Sequence, residues 1–359
     1  MGLAELELTN FRTFSNYRLE FDTSAVTVFL SPNGTGKTSV LEAVFALATG
    51  RSFRTTSAGD LLRTGSDSAS VHAIATSGVR RLELEIHLVR GARAVTKRLR
   101  INKQKPASFA ELYEAFPVTV FTPEGVDMVR REPAGRRDYL TTLAMNLEPR
   151  LSDVVERFER VLKQRNALLR SLGGELPTAQ QRDEFVVWDD EFVVAGQELI
   201  AARERTLEPL APVVAHFYES ISGGRGSVTL AYEPSFDEDL ASALRLAQRA
   251  DYFRGHSTVG PHRDDMSIFL DGRDARRQAS QGEQRSMALA LLLAGDALVR
   301  ERRSITPLLM LDDVFSELDP VRSSRLLSLL PVGQTLVTTA SPIPHELDPA
   351  VVVDLTVPS

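Results

Sequence analysis

The chain has 359 residues, of which 43% are hydrophobic and 25% charged, and this length and composition suit two globular domains of about 100 to 200 residues each. The absence of cysteine excludes a disulfide framework and a thiolate metal site, and six scattered histidines do not favour a zinc centre. The net charge of −6 gives no overall attraction to nucleic acid, so any such surface must be local.

The sequence carries neither a targeting segment nor a membrane span. Acidic groups occur in the first ten residues, where a signal peptide would be basic and then apolar. The longest apolar run, near Met287–Ala294, is far shorter than the roughly 20 residues that cross a bilayer. We therefore predict a cytoplasmic protein with no membrane partner.

The first third of the chain is dominated by strand patterns. LELELTN, YRLEF and AVTVFL show the alternation of β-branched and aromatic residues that is typical of strands. A glycine-containing loop follows, and the segment Lys37–Thr49 predicts a helix. Further strands are predicted near 70–76, 81–89 and 117–121.

From about Glu132 to Gln248 the apolar period becomes helical. Glycine pairs and prolines, among them Pro209 and Pro212, are expected to keep each helix short and to exclude a long coiled coil. After Asp265 strands and helices alternate again. This part comprises the strand MSIFL, a helix near 281–303, the strand LLMLD, a helix near 321–330, the strand QTLVTT and a terminal VVVDLTV.

The glycine-containing loop matches the phosphate-binding pattern G-x-x-x-x-G-K-[ST], except that Ser31 replaces the first glycine. Between a strand and a helix, its backbone N–H groups would surround nucleotide phosphates. Lys37 would reach the β and γ phosphates, and the Thr38 hydroxyl would bind Mg²⁺. The residues predicted to bind ATP are Ser31, Pro32, Asn33, Gly34, Thr35, Gly36, Lys37 and Thr38.

An apolar run, LLML, ends in two carboxylates, Asp312 and Asp313. This pattern favours a buried parallel strand that delivers acids at its carboxyl end, although two such acids alone also fit a solvated loop or a helix cap. We predict that Asp312 binds Mg²⁺ and that Asp313 is catalytic with Lys37, because a carboxylate there can orient the attacking water. ABC ATPases usually have glutamate at this second position, so the shorter aspartate predicts slow hydrolysis.

Ser280 and Glu283 have the S-x-x-E spacing of a capping box and precede a strongly apolar helix. That cap alone explains both residues. The segment SQGEQ also resembles the signature LSGGQ of ABC ATPases, whose serine, glycine and helix N-terminus face the γ-phosphate bound by the opposite subunit. A free helix N-terminus favours an anion by about 0.3 to 1 kcal/mol. We therefore predict that Ser280, Gly282 and Gln284 contact the nucleotide.

Two short segments, residues 90–105 and 130–137, contain more basic than acidic residues, in contrast to the chain as a whole. Taken alone, such runs favour a solvated face. As a nucleic-acid surface they would contact phosphates, with strong salt dependence and little sequence preference. The candidate DNA-binding residues are Lys97, Arg98, Arg100, Lys103, Lys105, Arg130, Arg131, Arg136 and Arg137.

The order of phosphate loop, signature, acidic strand and Ser316–Asp319, which is similar to a D-loop, resembles the ABC superfamily. Lys37 and Ser280 lie much further apart than the corresponding residues of transporter ATPases. More specific stretches resemble the RecF family of bacterial recombination and replication-repair proteins, from residue 3 to about residue 340. They are Asn10-Phe11-Arg12, Leu41-Glu42-Ala43-Val44, Arg51-Ser52-Phe53-Arg54, Phe121-Thr122-Pro123-Glu124, Arg136-Arg137-Asp138-Tyr139-Leu140 and Gly260-Pro261-His262-Arg263-Asp264-Asp265.

The resemblance implies an α/β ABC-type P-loop ATPase head, a mixed sheet with flanking helices, that carries an inserted helical arm lobe and no long coiled coil. Residues 1–125 and 258–359 would form the ATPase lobe, and residues 126–257 the arm. The family dimerises on ATP, binds single- and double-stranded DNA at gaps, and works with RecR and RecO to load RecA. Slow, DNA-dependent ATP hydrolysis would then release the clamp.

Several residues match the family pattern by position. Arg12 would bring a guanidinium to the nucleotide, although an exposed arginine at a strand end also explains it. Glu124 falls where other ABC proteins have the Q-loop glutamine. No histidine follows Thr338 and Thr339, so the usual switch histidine is missing. His262 and Arg263 would form either a packed turn or a sensing surface.

Two other classes also carry a phosphate loop. A transporter-type ATPase subunit would need a membrane partner and would ignore DNA. A P-loop phosphotransferase would consume ATP only with a small acceptor and would have no use for SQGEQ.

Overall fold

A computed structural model describes residues 2–77, 80–122, 125, 127–344, 347 and 349–355 of the chain. Its described strands form one parallel sheet, one five-stranded antiparallel sheet and one small three-stranded sheet. The alternation of strands and helices at both ends of the chain, predicted from the sequence, is confirmed. The two large sheets enclose the first helix.

The parallel sheet joins strands from both ends of the chain. Its strand order is β13-β3-β12-β11-β7, and every neighbouring pair is parallel. The carboxyl ends of β3, β11 and β12 therefore meet at one edge. The strands are β3 (Val26–Leu30), β7 (Val118–Phe121), β11 (Leu308–Asp312), β12 (Thr335–Thr339) and β13 (Val351–Val353).

The antiparallel sheet has the order β2-β1-β4-β5-β6 and covers helix α1 (Lys37–Thr49) from the other side. Every residue of α1 except Thr38 is buried. A helix between two sheets needs no polar face, which explains its apolar run VLEAVFALA. The strands are β1 (Gly2–Phe11), β2 (Phe14–Glu20), β4 (Ser68–Ser77), β5 (Arg80–Arg90) and β6 (Val95–Ile101).

The middle of the chain is mainly helical, as predicted, but the expectation of short helices is wrong for one of them. Helix α5 runs for 44 residues and passes through Pro209 and Pro212. An internal proline costs about 3 kcal/mol. Buried Leu207, Leu210 and Val214 on the same turns belong to the main core and offset that cost. The helices are α2 (Phe109–Ala115), α3 (Pro133–Leu147), α4 (Leu151–Ser171), α5 (Ala179–Ser222) and α6 (Leu240–Arg254).

The small sheet connects the middle of the chain to its last third. Strand β8 (Val228–Glu233) falls in the segment predicted to be a helical arm, and it pairs antiparallel with β9 (Asp265–Leu270). A single core of buried residues includes side chains from α3, α5 and the later helix α8. The remaining elements are β10 (Arg273–Asp274), α7 (Ala275–Gln278), α8 (Gln281–Arg303) and α9 (Pro320–Leu329).

None of the described helices combines sufficient length with sufficient apolar character to cross a bilayer.

Candidate nucleotide site

The phosphate-binding loop connects β3 to α1, as the sequence predicts. Gly34 and Gly36 have positive φ angles of 86° and 103°. A Cβ atom at Gly36 would lie 2.6 Å from Oγ1 of Thr13 and 2.8 Å from the ring of Phe14. The turn between β1 and β2 therefore packs directly on the loop, and glycine is needed at Gly36 for both its conformation and this close approach.

Lys37 begins helix α1 and folds back over the loop. Its ammonium donates a hydrogen bond to the Pro32 carbonyl at 2.9 Å and another to the Ser31 carbonyl. Burial lowers the pKa of Lys37, and the nearby carboxylates Asp313 and Asp312 act in the opposite direction. The Lys37 ammonium thus lies between the loop carbonyls and two carboxylates. A bound phosphate group would add a negative charge next to this ammonium.

The predicted metal ligands lie together at the edge of the parallel sheet. Oγ1 of Thr38 donates to Oδ1 of Asp312 at 2.9 Å, and Oγ1 of Thr338 donates to the same oxygen at 2.6 Å. Asp312 and Thr338 are buried. Hydroxyl and carboxylate oxygens are the hard ligands that Mg²⁺ prefers, so Thr38 and Asp312 fit this ion.

Asp313 follows in a left-handed conformation, with φ of 49°. Its backbone N–H donates to both the carbonyl and the Oγ1 of Thr338, each at 3.0 Å. One of its carboxylate oxygens, Oδ1, is buried and has no hydrogen-bond partner among the described residues. Because a buried carboxylate oxygen normally has a partner, this atom fits a bound water or the hydration shell of Mg²⁺.

Thr338 is a site residue that sequence reasoning did not identify. Its hydroxyl bridges Asp312 to the backbone of Asp313, at the end of β12. At this position the only sequence signal is negative, since no histidine follows the strand. Thr338 lies beside Asp312 in the register of the parallel sheet, and only the structure shows this pairing.

Arg12 lies in the turn that packs on the phosphate loop and has a positive φ of 51°. Its Nε and Nη2 donate to the two carboxylate oxygens of Glu42 at 2.8 and 2.6 Å. Glu42 is fully buried in α1 and also accepts hydrogen bonds from Ser52 and Arg54. This bidentate pair fixes the orientation of the Arg12 guanidinium. The role of Glu42 was not predicted.

Ser31, the departure from the phosphate-loop pattern, has a specific structural contact. Its hydroxyl donates to Oδ1 of Asp354 at 3.0 Å and accepts the N–H of Leu355 at 2.7 Å. Glycine at this position would lose both bonds. The serine therefore attaches the segment after β13 to the nucleotide loop.

The signature-like segment forms the N-terminus of α8. Ser280 and Glu283 make the predicted capping box, with the Ser280 N–H and hydroxyl 2.8 and 2.7 Å from the Glu283 carboxylate. Ser280 is exposed, whereas Gln284 is 7% exposed and donates to the carbonyls of Ala275 and Arg276. The prediction for Gln284 is therefore corrected: its amide holds α7 against α8 and does not point to an exposed face.

Three of the predicted DNA-binding residues have their charged groups engaged within the protein. Arg136 is buried, pairs with Asp265 at 2.8 Å and donates to three main-chain carbonyls, so it is removed from the candidate surface. Arg137 is partly buried and donates to the Asp264 carbonyl. The Lys97 ammonium contacts the Gly50 carbonyl, and burial lowers its pKa.

The remaining candidates lie on exposed positions. Arg100 and Lys103 are 3.7 and 4.0 Å from Glu85 and Glu83, respectively, which reduces their net contribution to a positive surface. Strand β6, which carries Arg98 and Arg100, is an edge strand of the antiparallel sheet. The exposed candidates are Arg98, Arg100, Lys103, Lys105, Arg130 and Arg131.

The stretch from Gly260 to Asp265 forms a packed turn. Asp264 is fully buried and accepts hydrogen bonds from Tyr232 and Ser235. Nε2 of His262 lies 3.0 Å from the Ser257 carbonyl, and burial lowers the pKa of this histidine to about 4. Arg263 is exposed. Glu124, the Q-loop candidate, lies outside the described residues.

The chain is similar to known proteins over most of its length. The family model for the RecF/RecN/SMC N terminal domain matches residues 2–342. The DNA replication and repair protein RecF of Acidothermus cellulolyticus is 39% identical over 356 residues, covering 95% of this chain and 94% of that protein. The protein of the same name from Gloeobacter violaceus is 36% identical over 350 residues, covering 94% and 92%.

Solved structures show the same fold. The recombination mediator protein RecF-ATPrS of the RecFOR pathway matches with a TM-score of 0.84 and 26% identity, covering 98% of this chain and 97% of that one. A RecF-ATP structure matches with a TM-score of 0.82 and 25% identity. An Smc head bound to the C-winged helix domain of ScpA, at 15% identity, has a TM-score of 0.53 and supports the ABC-type head fold alone.

Proposed function

Since the chain belongs to the RecF family of DNA replication and repair proteins, we propose that it is an ATP-dependent DNA-binding clamp of recombinational repair and replication restart. It would act in the cytoplasm, bind single- and double-stranded DNA at gaps or junctions and dimerise on ATP. Slow hydrolysis would release it. RecR and RecO would be its partners in loading RecA.

One observation carries this proposal: Thr38, Asp312 and Thr338 meet at a single carboxylate oxygen next to the phosphate loop. A hydroxyl from the loop and an acid from β11 are the two protein ligands that a P-loop ATPase supplies to Mg²⁺. When bound, Mg²⁺ would neutralise charge on the β and γ phosphates. Lys37 would then exchange its loop carbonyls for phosphate oxygens, and Asp313 would orient the attacking water.

The nucleotide site of one chain is half of the proposed composite site. Ser280 and Gly282 lie at the start of α8, where this helix contacts α7 and α9. We infer that they bind the γ-phosphate held by a second copy of the chain. ATP would then join the subunits, whereas ADP, which has no γ-phosphate, would not.

The DNA surface would be built from cations that remain exposed on the β6 edge and near Arg130. Two copies in a closed dimer would double the local charge. Because the contacts would be to phosphates, affinity should fall steeply with salt and show little dependence on sequence. The ATPase activity would be weak and DNA-dependent, with aspartate at Asp313 in place of the longer glutamate.

Light scattering with and without ATP tests the composite site. The wild-type chain should form dimers with ATP and remain largely monomeric with ADP. Ser280→Arg should bind ATP but not dimerise, because the larger cation occupies the proposed anion contact, whereas Lys37→Ala should fail to bind ATP at all. Dimers of Ser280→Arg with ATP would refute the signature assignment.

Binding to gapped DNA, with blunt duplex as the control, separates this proposal from its rivals. A clamp should retain gapped DNA better with ATP, and the binding should weaken as salt increases. A transporter-type subunit should ignore both DNA forms. A phosphotransferase should consume ATP only when a small acceptor is supplied.

A further inference from the structure

Arg322 on α9 connects the D-loop-like segment to the signature-like segment. Its guanidinium pairs with the carboxylate of Asp319, the last residue of the D-loop-like segment, and its Nε donates to Oγ of Ser286 in α8 at 3.0 Å. Ser286 in turn donates to the carbonyl of Gly282 at 2.9 Å. One side chain therefore links two segments that the proposed function assigns to the same nucleotide.

The Arg322 guanidinium also lies directly against Gly282. No left-handed conformation is required there, and glycine within a helix is about 1 kcal/mol less favourable than alanine. A Cβ atom at Gly282 would lie only 2.8 Å from Nη2 of Arg322 and 3.3 Å from its Cζ. The guanidinium therefore occupies the space that a side chain at position 282 would fill.

The arrangement is electrostatically unusual. Cations are disfavoured near a helix N-terminus, because the partial charge there is positive. Arg322 nevertheless lies against the first turn of α8, and its side chain is 34% exposed. Asp319 compensates one side of the guanidinium, and the same carboxylate group caps α9 by accepting the Arg322 N–H at 3.0 Å. These bonds fix the distance between the starts of the two helices.

We propose that Arg322 is a positioning residue that holds the D-loop and the signature of one subunit as a rigid pair, so that both meet the nucleotide bound by a second copy. This inference rests on the proposed composite site. Arg322 would act in trans, on the neighbour's ATP, and would leave ATP binding to its own phosphate loop intact. Lysine cannot replace it, since a single ammonium does not reproduce the planar fork that contacts Asp319 and Ser286 together.

Hydrolysis kinetics and light scattering of Arg322→Ala test the proposal. ATP binding by the monomer should stay unchanged, while the ATP-driven dimer should weaken at least tenfold and kcat should fall. Arg322→Lys should recover less than half of the lost kcat. Arg325→Ala is the matched control, because Arg325 lies on the same helix but donates to the Ile221 carbonyl at the end of α5. The inference is overturned if Arg322→Ala dimerises and hydrolyses ATP like this control.

Mixed dimers test whether Arg322 acts in trans. A Lys37→Ala subunit paired with an Arg322→Ala subunit contains one site with an intact phosphate loop and an intact opposing signature pair. Mixing should therefore restore hydrolysis, as should mixing Lys37→Ala with Ser280→Arg. Restoration by the Ser280 mixture alone would place Arg322 in cis and reject its proposed role.

The same mixtures distinguish a failure of the composite site from a failure of the role of Arg322 alone. If neither mixture restores hydrolysis, the composite site itself fails, and the role of Arg322 fails with it.

The Gly282→Ala substitution tests the packing directly. It should lower the unfolding midpoint in the wild-type background, where the new Cβ meets the Arg322 guanidinium. In the Arg322→Ala background that loss should disappear. Equal losses in both backgrounds would contradict the packing on which the proposal depends.

Discussion

Replacing Thr338 by valine should weaken metal-dependent hydrolysis without disturbing the shape of the strand end. Valine has nearly the same volume but cannot donate to Oδ1 of Asp312, a bond of 2.6 Å to a buried carboxylate. A hydrogen bond to a charged group contributes about 1.5 to 3 kcal/mol. The second bond lost, from the Asp313 N–H to the hydroxyl, matters less because that N–H also donates to the Thr338 carbonyl.

The expected magnitude follows from the first bond. If about 2 kcal/mol is lost in the transition state, kcat/KM should fall by roughly 30-fold. The assay is steady-state hydrolysis over a range of Mg²⁺ concentrations, where Thr338→Val should require more Mg²⁺ because Asp312 is no longer held in place.

Thr339→Val is the matched control for this change. Thr339 is equally buried at the end of the same strand, but its hydroxyl bonds with the backbone of Ser341 at 3.0 and 3.1 Å. It should lose comparable stability while keeping the Mg²⁺ dependence of the wild-type chain. Equal Mg²⁺ dependence in Thr338→Val and Thr339→Val would refute the role assigned to the Thr338 hydroxyl.

Two further predictions concern residues whose surroundings the structure defines. The pKa of His262 is near 6.5 in the unfolded chain and about 4 in the folded chain. Between these values only the unfolded chain binds the proton, so the free energy of unfolding should fall by about 3 kcal/mol from pH 6.5 to pH 4. His262→Gln should reduce this fall in denaturant titrations, and an unchanged pH dependence would contradict the assignment. Arg136→Ala should lower the free energy of unfolding by about 3 to 5 kcal/mol, because it removes the ion-pair partner of Asp265 and the donor to three main-chain carbonyls. Arg98→Ala should instead leave stability nearly unchanged and reduce the salt dependence of DNA binding; the reverse pattern would restore Arg136 to the candidate surface.

Local sequence signals predicted the elements that local chemistry determines. Helix α1 begins at Lys37 and ends at Thr49, the bounds predicted from the sequence, between the glycine-containing loop and a left-handed C-cap at Gly50. Helix α8 begins at Gln281 because the Ser280 capping box precedes it. Both boundaries depend on side chains within a few residues of the helix end, so the sequence contains the information needed.

The errors concern long-range partners. Arg136 looked like a surface cation, but Asp265, 129 positions away, brings it into the interior. Pro209 and Pro212 looked like helix ends, but the buried residues around them stabilise a continuous helix. Strand β8 was hidden in a helical segment because its partner, β9, is supplied by a later part of the chain. Periodicity and local propensity do not contain these contacts.

The departures of the nucleotide site from the common ABC pattern favour retention of ATP over rapid turnover. The Ser31 hydroxyl attaches the loop to residues 354 and 355, and the Thr338 hydroxyl holds Asp312 where no switch histidine is available. Both contacts fix groups that the proposed function assigns to the nucleotide and its Mg²⁺. By contrast, the Asp313 side chain is one methylene shorter than the glutamate that ABC ATPases usually have at this position. The proposed function therefore predicts tight ATP binding with slow hydrolysis, as a clamp held closed by ATP requires.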